Sequence, residues 1–210
     1  MAITSDIREY RGLIEISLDG VVWLRVRKKH FAQRPLEPGQ AVDTQAYLDA
    51  MAALQAADCY EAALTMLDQA AQTAGELCEK LVRKGYVSPA AEAVVERLRE
   101  NRLIDDARYA ERMAQAQLGR AVGAYAVRRK LRAKRLSEET IEAAMEDFDD
   151  AQQASACREA ADRLWRKYSA LAPREGRAKL SQALARRGFG WEVIRAVVDD
   201  LCSDSDTFDD

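Results

Sequence analysis

Cysteine, histidine and paired carboxylates are the side chains here that could do chemistry, and their spacing argues against it. The 210-residue chain has four cysteines, Cys59, Cys78, Cys157 and Cys202, with gaps of 19, 79 and 45 residues. No C-x-x-C pair occurs and His30 is the single histidine, so a zinc site would lack its usual paired ligands. A Cys–His nucleophile would have to use His30, which lies in Arg27-Lys28-Lys29-His30 and reads as the solvated end of a basic strand. Disulfides are arithmetically possible, but free thiols packed as small hydrophobes are expected. Asp105-Asp106 is a carboxylate pair at a helix start. Adjacent helical residues point about 100° apart, and acids in a first turn complement the helix dipole, so capping is the expected role. Neither G-x-x-x-x-G-K-[ST] nor G-x-G-x-x-G occurs, and Gly119-Arg120-Ala121-Val122-Gly123 is too sparse in glycine to cradle a phosphate. No enzyme activity, cofactor or metal is expected.

Charge is the more informative signal. The chain has 32 basic and 35 acidic residues, net −3, so it is not a cationic polyanion binder as a whole. The balance hides blocks of opposite sign. Residues 107–135 carry nine bases against Glu111 alone, 136–150 carry seven acids and no base, and 151–195 return to net +6. Within 120–135, seven bases have no acid among them. On a helix over 124–135, Ala124, Val127 and Leu131 form the inward face. Arg128, Arg132 and Arg135 then share one flank, with Arg129 further round toward solvent. Several guanidinium groups displayed together suit carboxylates or phosphates on a partner; the plainer reading is a solubilising face. Trp165 and Trp191 lie in basic surroundings and are expected to pack rather than to stack on bases.

The elements that must hold this surface are mostly helical. Leu13–Leu18 alternates, Asp19-Gly20 is a hairpin turn and Val21–Arg27 resumes a β-branched pattern, which predicts a small N-terminal β-hairpin module. Beyond Thr44 the pattern is helical, with Ser88 and Ser137 as expected N-caps and Pro89 at a first helical position. An internal repeat stands out. Lys80–Tyr86, Lys130–Leu136 and Ala183–Phe189 align at offsets of 50 and 103. The helices that follow align too: Ala91, Val94, Val95 and Leu98 with Ile141, Ala144, Met145 and Phe148, and with Ile194, Val197, Val198 and Leu201. That spacing is one helix face. Preceding helices are expected over Tyr60–Ala71, Asp106–Leu118 and Ala156–Tyr168. A repeat of about 50 residues exposes a stripe that only a stacked neighbour buries. Gly85 and Gly188 fit left-handed helix ends, whereas the middle copy has Arg135 there. The expected division is a β module over 1–43, helical repeats over 44–100, 101–150 and 151–202, and a frayed acidic tail over 203–210. No apolar run approaches the ~18 residues that span a bilayer, and the N-terminus lacks a secretion-signal layout. A cytoplasmic protein is expected.

Leu103-Ile104-Asp105-Asp106-Ala107-Arg108-Tyr109-Ala110, Val127–Lys134, and Arg186-Arg187-Gly188-Phe189 leading into Ile194 resemble the RecX regulatory family. The resemblance covers roughly 60–201. Arg135 in place of a glycine, and the absence of a basic pair in Leu67–Thr73, depart from the family pattern. The resemblance implies a mainly α fold of tandem three-helix repeats in an elongated, curved array. It implies binding along the RecA recombinase filament on single-stranded DNA, inhibiting strand exchange, ATP hydrolysis and co-protease activity, with the β module an addition found in part of the family. Arg83, Lys84, Arg128, Arg129, Arg132, Lys134, Arg135, Arg186 and Arg187 are the candidate contacts. A monomer is expected, with contact to single-stranded DNA weak or indirect. The alternative is a helical-repeat protein that binds single-stranded nucleic acid directly.

Overall fold

The computed structural model describes residues 2–118, 120–146 and 148–206. It divides into two compact units, Met1–Asp105 and Asp106–Asp210.

The first unit opens with four antiparallel strands, β1 (Ala2–Tyr10), β2 (Leu13–Leu18), β3 (Val21–Arg27) and β4 (Ala41–Val42), in the order β3-β2-β1-β4. The Asp19-Gly20 turn joins β2 to β3 with both residues left-handed, φ 48° and 83°, as a two-residue hairpin requires. The expected hairpin is therefore part of a larger sheet. Arg11-Gly12 makes a second such turn, φ 51° and 81°, and adds β1. This strand escapes a hydrophobic-pattern search because its central cross-strand contact is ionic. Arg8 and Arg25 stand opposite Glu15 on either side, and both bond its buried carboxylate at 2.6–2.8 Å. Their hydrogen bonds, Arg8 foremost, hold the Glu15 carboxyl below its usual range.

The sheet packs Ile16, Leu18 and Val26 against Tyr47 and Met51 of a long helix, α2 (Thr44–Gln69). Between them lies the short α1 (Lys28–Phe31), where the expectation for His30 fails. Its side chain is buried, with Nε2 3.0 Å from Asp58 Oδ2. Asp58 also pairs with Lys29, and its carbonyl accepts from the Tyr86 hydroxyl at 3.0 Å, while Arg27 donates to that hydroxyl at 2.5 Å. His30 thus ties the β module to the first helical repeat.

That repeat comprises α2, α3 (Ala74–Arg83) and α4 (Ser88–Glu100). The second comprises α5 (Asp106–Leu118), α6 (Ala124–Ala133) and α7 (Glu138–Ala144). The third comprises α8 (Asp150–Tyr168), α9 (Pro173–Arg186) and α10 (Trp191–Asp206). Each has its own core, and the aligned apolar positions line it. Ala91, Val94, Val95 and Leu98 are buried in the first, Ile141 and Met145 in the second, and Ile194, Val197, Val198 and Leu201 in the third. Ser137 caps α7, accepting from the Thr140 amide at 3.1 Å. Ser88 does not cap; it is the first residue of α4, after an extended Val87, and the Pro89 ring follows in the first turn. The last helix runs to Asp206, so 203–206 are helical where a frayed tail is expected, and 207–210 lie outside the described residues.

Candidate partner-binding surface

The second helix of every repeat ends in the same way. Lys84, Lys134 and Arg187 are the C-cap residues of α3, α6 and α9. Their amides bond back to the carbonyls of Lys80 and Leu81, Lys130 and Leu131, and Ala183 and Leu184. The next residue is left-handed in all three: Gly85 at φ 89°, Arg135 at 58° and Gly188 at 86°. A non-glycine residue in that region costs about 1–2 kcal/mol, and Arg135 occupies it nonetheless. Cations placed here complement the helix dipole and are also displayed at one equivalent point per repeat.

In the third repeat this turn is a joint. The α6 N-terminus begins at Gly123, which has no side chain to cap it, and its amides find partners in the third repeat instead. Gly123 and Tyr125 donate to the carbonyls of Arg187 and Gly188 at 3.0 Å each, and Ala124 donates to Gln153 Oε1 at 2.8 Å. The backbones touch closely. A Cβ on Gly123 would lie 2.1 Å from the Gly188 carbonyl, and one on Gly188 would lie 2.3 Å from the Ala126 amide nitrogen. The joint therefore sets Arg186 and Arg187 at the start of the arginine-bearing helix.

On α6, Val127 and Leu131 are fully buried, so the periodicity places the arginines correctly. Their pairing differs from the expectation of an unpartnered block. Arg128 grips Glu142 with two bonds at 3.1 and 2.9 Å, and Arg132 grips Glu138 with two at 2.7 and 2.8 Å. The acids come from α7, across the turn, where a count within 120–135 cannot see them. Hydrogen bonds from Arg132 and Arg128 hold the Glu138 and Glu142 carboxyls below their usual range. Lys130 donates to Gln117 Oε1 at 2.8 Å. Arg129 points to solvent, as do Arg186 and, in the first unit, Arg83 and Lys84; Arg187 and Lys134 are half-buried and Arg135 is exposed. The structure thus sets Arg186 and Arg187 against the start of α6, which carries Arg128 and Arg129 along its middle and Arg132 in its last turn, with Lys134 and Arg135 just beyond, while Arg83 and Lys84 belong to the first unit.

Two aromatic residues join this region. Tyr125 is 66% exposed and Trp191 59%; a Cβ on Gly190, beside Trp191, would lie 3.5 Å from the Tyr125 ring. Trp165 packs against the third core as expected, but Trp191 is mostly exposed, and Tyr125 is missed by sequence reasoning. The signal for Tyr125 is its place one residue outside the inward-facing set of α6.

Nothing described resembles a catalytic centre. Burial pushes the Cys59 and Cys157 thiols up to about 12 and about 11, and raises Cys78 as well. Cys202 lies outside the described side chains. Among the described residues no cluster of metal-ligating side chains occurs, and no helix is long and apolar enough to cross a membrane.

These features define a protein of tandem three-helix repeats with a small N-terminal antiparallel sheet. Residues 59–98, 105–145 and 150–198 match the first, second and third three-helix domains of RecX. Regulatory protein RecX of Halorhodospira halophila is 34% identical over 140 residues, 65% of this chain and 83% of that one. RecX of Limosilactobacillus reuteri strain DSM 20016 is 26% identical over 202 residues, 96% of this chain and 76% of that one. A crystal structure of a regulatory protein RecX superposes with a TM-score of 0.64 at 27% identity, covering 95% of this chain and all of that one. The chain belongs to the RecX family of regulatory proteins.

Proposed function

We propose that this chain, as a cytoplasmic monomer, binds the RecA recombinase filament on single-stranded DNA and restrains strand exchange, ATP hydrolysis and co-protease activity. Family membership supports the partner. The observation that carries the reading is the cation at the end of each second helix, Lys84, Lys134 and Arg187, held in one backbone geometry three times over. Repeated contacts of one kind suit a partner that is itself a repeating polymer, because each contact raises the effective concentration of the next. A body spanning several subunits resists rearrangement provided that it binds one filament state better than another.

The decisive experiment combines co-sedimentation with RecA filaments and their ATPase rate. Reversing Arg128 and Arg132 would set new acids against Glu142 and Glu138, so the informative variant is Arg129→Glu with Arg186→Glu and Arg187→Glu. It should keep native helicity and lose filament binding and inhibition together. Full inhibition by the folded triple variant would remove this surface from the mechanism. Exposure of Tyr125 and Trp191 beside these arginines favours a second reading, direct binding of single-stranded nucleic acid by stacking. Steeply salt-dependent binding to bare single strands, lost in a Tyr125→Ala/Trp191→Ala variant, would favour it.

A further inference from the structure

We propose that the edge of β3 is a docking site for an extended acidic peptide, which adds to the sheet as a fifth strand. The proposal is independent of the recombinase reading and concerns the first unit alone. In the sheet order β3 is an outer strand, paired on one side only, with β2. Beyond this ladder with β2, none of Val21 to Arg25 makes a backbone hydrogen bond to a turn, loop or helix among the described residues. Its outer row of amides and carbonyls is therefore a template for another strand. Sheets usually protect such an edge with lysine or proline; here Val21 and Val22 head it, 70% and 43% exposed. Opposite β2, the register skips between Ile16 and Ser17 and leaves Trp23 as the extra residue, which turns its ring toward Tyr47, centroids 5.6 Å apart.

Beside this edge runs a groove of about 730 Å³, walled on its far side by the α3–α4 corner. Val22, Leu24, Val82 and Pro89 give it apolar lining, and Arg11 and Arg83 supply two guanidinium groups, while Arg25, which also lines it, is already engaged by Glu15 at 2.6 Å. Arg11 stands over the Tyr10 ring, 5.2 Å from its centroid, which holds its head beside the groove. A β3 of seven residues spans roughly 23 Å at strand rise. The occupant that satisfies all of this is a segment of five to seven residues, alternating acidic with β-branched side chains. Its backbone pairs with β3, its apolar side chains meet Val82 and Pro89, and its carboxylates meet the arginines, the strand-addition mode of peptide recognition.

The probe is a fluorescein-labelled peptide, Glu-Val-Glu-Ile-Asp-Val-Glu, titrated into the full chain by anisotropy, with amide hydrogen exchange read in parallel. The peptide should bind and slow exchange within 21–25. N-methylation of alternate peptide nitrogens should weaken binding about tenfold or more, because the β3 carbonyls then lack donors. Arg11→Glu with Arg83→Glu should abolish binding, whereas Arg102→Glu, exposed but away from the groove, should leave it unchanged. No binding at millimolar peptide, equal binding of the N-methylated peptide, or protection elsewhere would each overturn the proposal. So would protection of 21–25 without peptide in a dimeric chain, which would assign the edge to a second copy.

Discussion

The joint between the second and third repeats lends itself to dissection, because its two glycines fail for different reasons. Gly123 has ordinary backbone geometry, φ −76°, so Gly123→Ala introduces no torsional strain, only a Cβ 2.1 Å from the Gly188 carbonyl. The joint must open, releasing the amides of Gly123, Ala124 and Tyr125 from Arg187, Gln153 and Gly188. At about 1 kcal/mol per hydrogen bond, more where a donor stays buried and unpaired, the loss is roughly 2–4 kcal/mol. Gly188→Ala opens the same joint from its other side, its Cβ 2.3 Å from the Ala126 amide nitrogen, and also forces alanine to φ 86°, adding about 1–2 kcal/mol, so roughly 3–6 kcal/mol results. Gly20→Ala is the torsion-only control: φ 83° with nothing within 4 Å of the new Cβ. Urea unfolding followed by circular dichroism gives all three values. The double variant Gly123→Ala/Gly188→Ala should fall well short of the sum, since the contact is lost only once. If Gly188→Ala costs no more than Gly20→Ala, the close backbone approach does not exist and the joint is wrong.

Four further outcomes are expected. Burial keeps His30 neutral, against the opposing pull of Asp58, so its folded pKa lies below the ordinary 6.5. The unfolded chain takes the proton first, so stability present above about pH 6.5 is lost as pH falls through the folded value. Urea midpoints at pH 7.5 and 5.5 should show this loss in the parent and much less of it in His30→Gln; an equal loss in both would absolve the imidazole. Glu138→Gln with Glu142→Gln should leave the midpoint nearly unchanged, because exposed ion pairs contribute little, yet tighten filament binding by releasing Arg132 and Arg128; weaker binding would mean that the carboxylates themselves touch the partner. Cys59 and Cys157 should react with a disulfide reagent only at the rate of unfolding, checked by peptide mapping, and rapid native labelling would contradict their burial. Trp191→Phe should blue-shift the mean emission and reduce iodide quenching, since Trp23 and Trp165 are half-buried; unchanged spectra would put Trp191 in the interior.

The repeat frame was legible because it rests on local periodicity. Ile141, Met145, Ile194 and Val198 fall at helical spacing, and a stripe of that kind has to be buried wherever the helix goes. The Asp19-Gly20 turn and the Ser137 cap were legible for the same reason, each acting within a few residues. What escaped depends on partners distant in the chain. β1 is held by a Glu15 carboxylate between two arginines, a contact that hydropathy scores as polar surface. His30 sits among cations in sequence and becomes interior only when Asp58 arrives from the middle of α2. Arg128 and Arg132 look unpaired until α7 folds back, and Ser88 looks like a cap until Val87 turns out to supply the extended residue. Trp191 shares the phase of Ile194 and Val198, so periodicity predicts packing, but it is the first residue of α10 and stays 59% exposed.

The two arginine–glutamate forks of the second repeat have a consequence for selectivity. Each guanidinium already holds a counter-anion of the right shape, so a partner must displace a resident carboxylate rather than fill a vacancy. A diffuse polyanion that offers only charge gains little from such an exchange. An oxyanion delivered at the correct angle, while neighbouring contacts form, gains much more. These two positions, unlike the solvent-facing Arg129 and Arg186, thus answer to shape before sign.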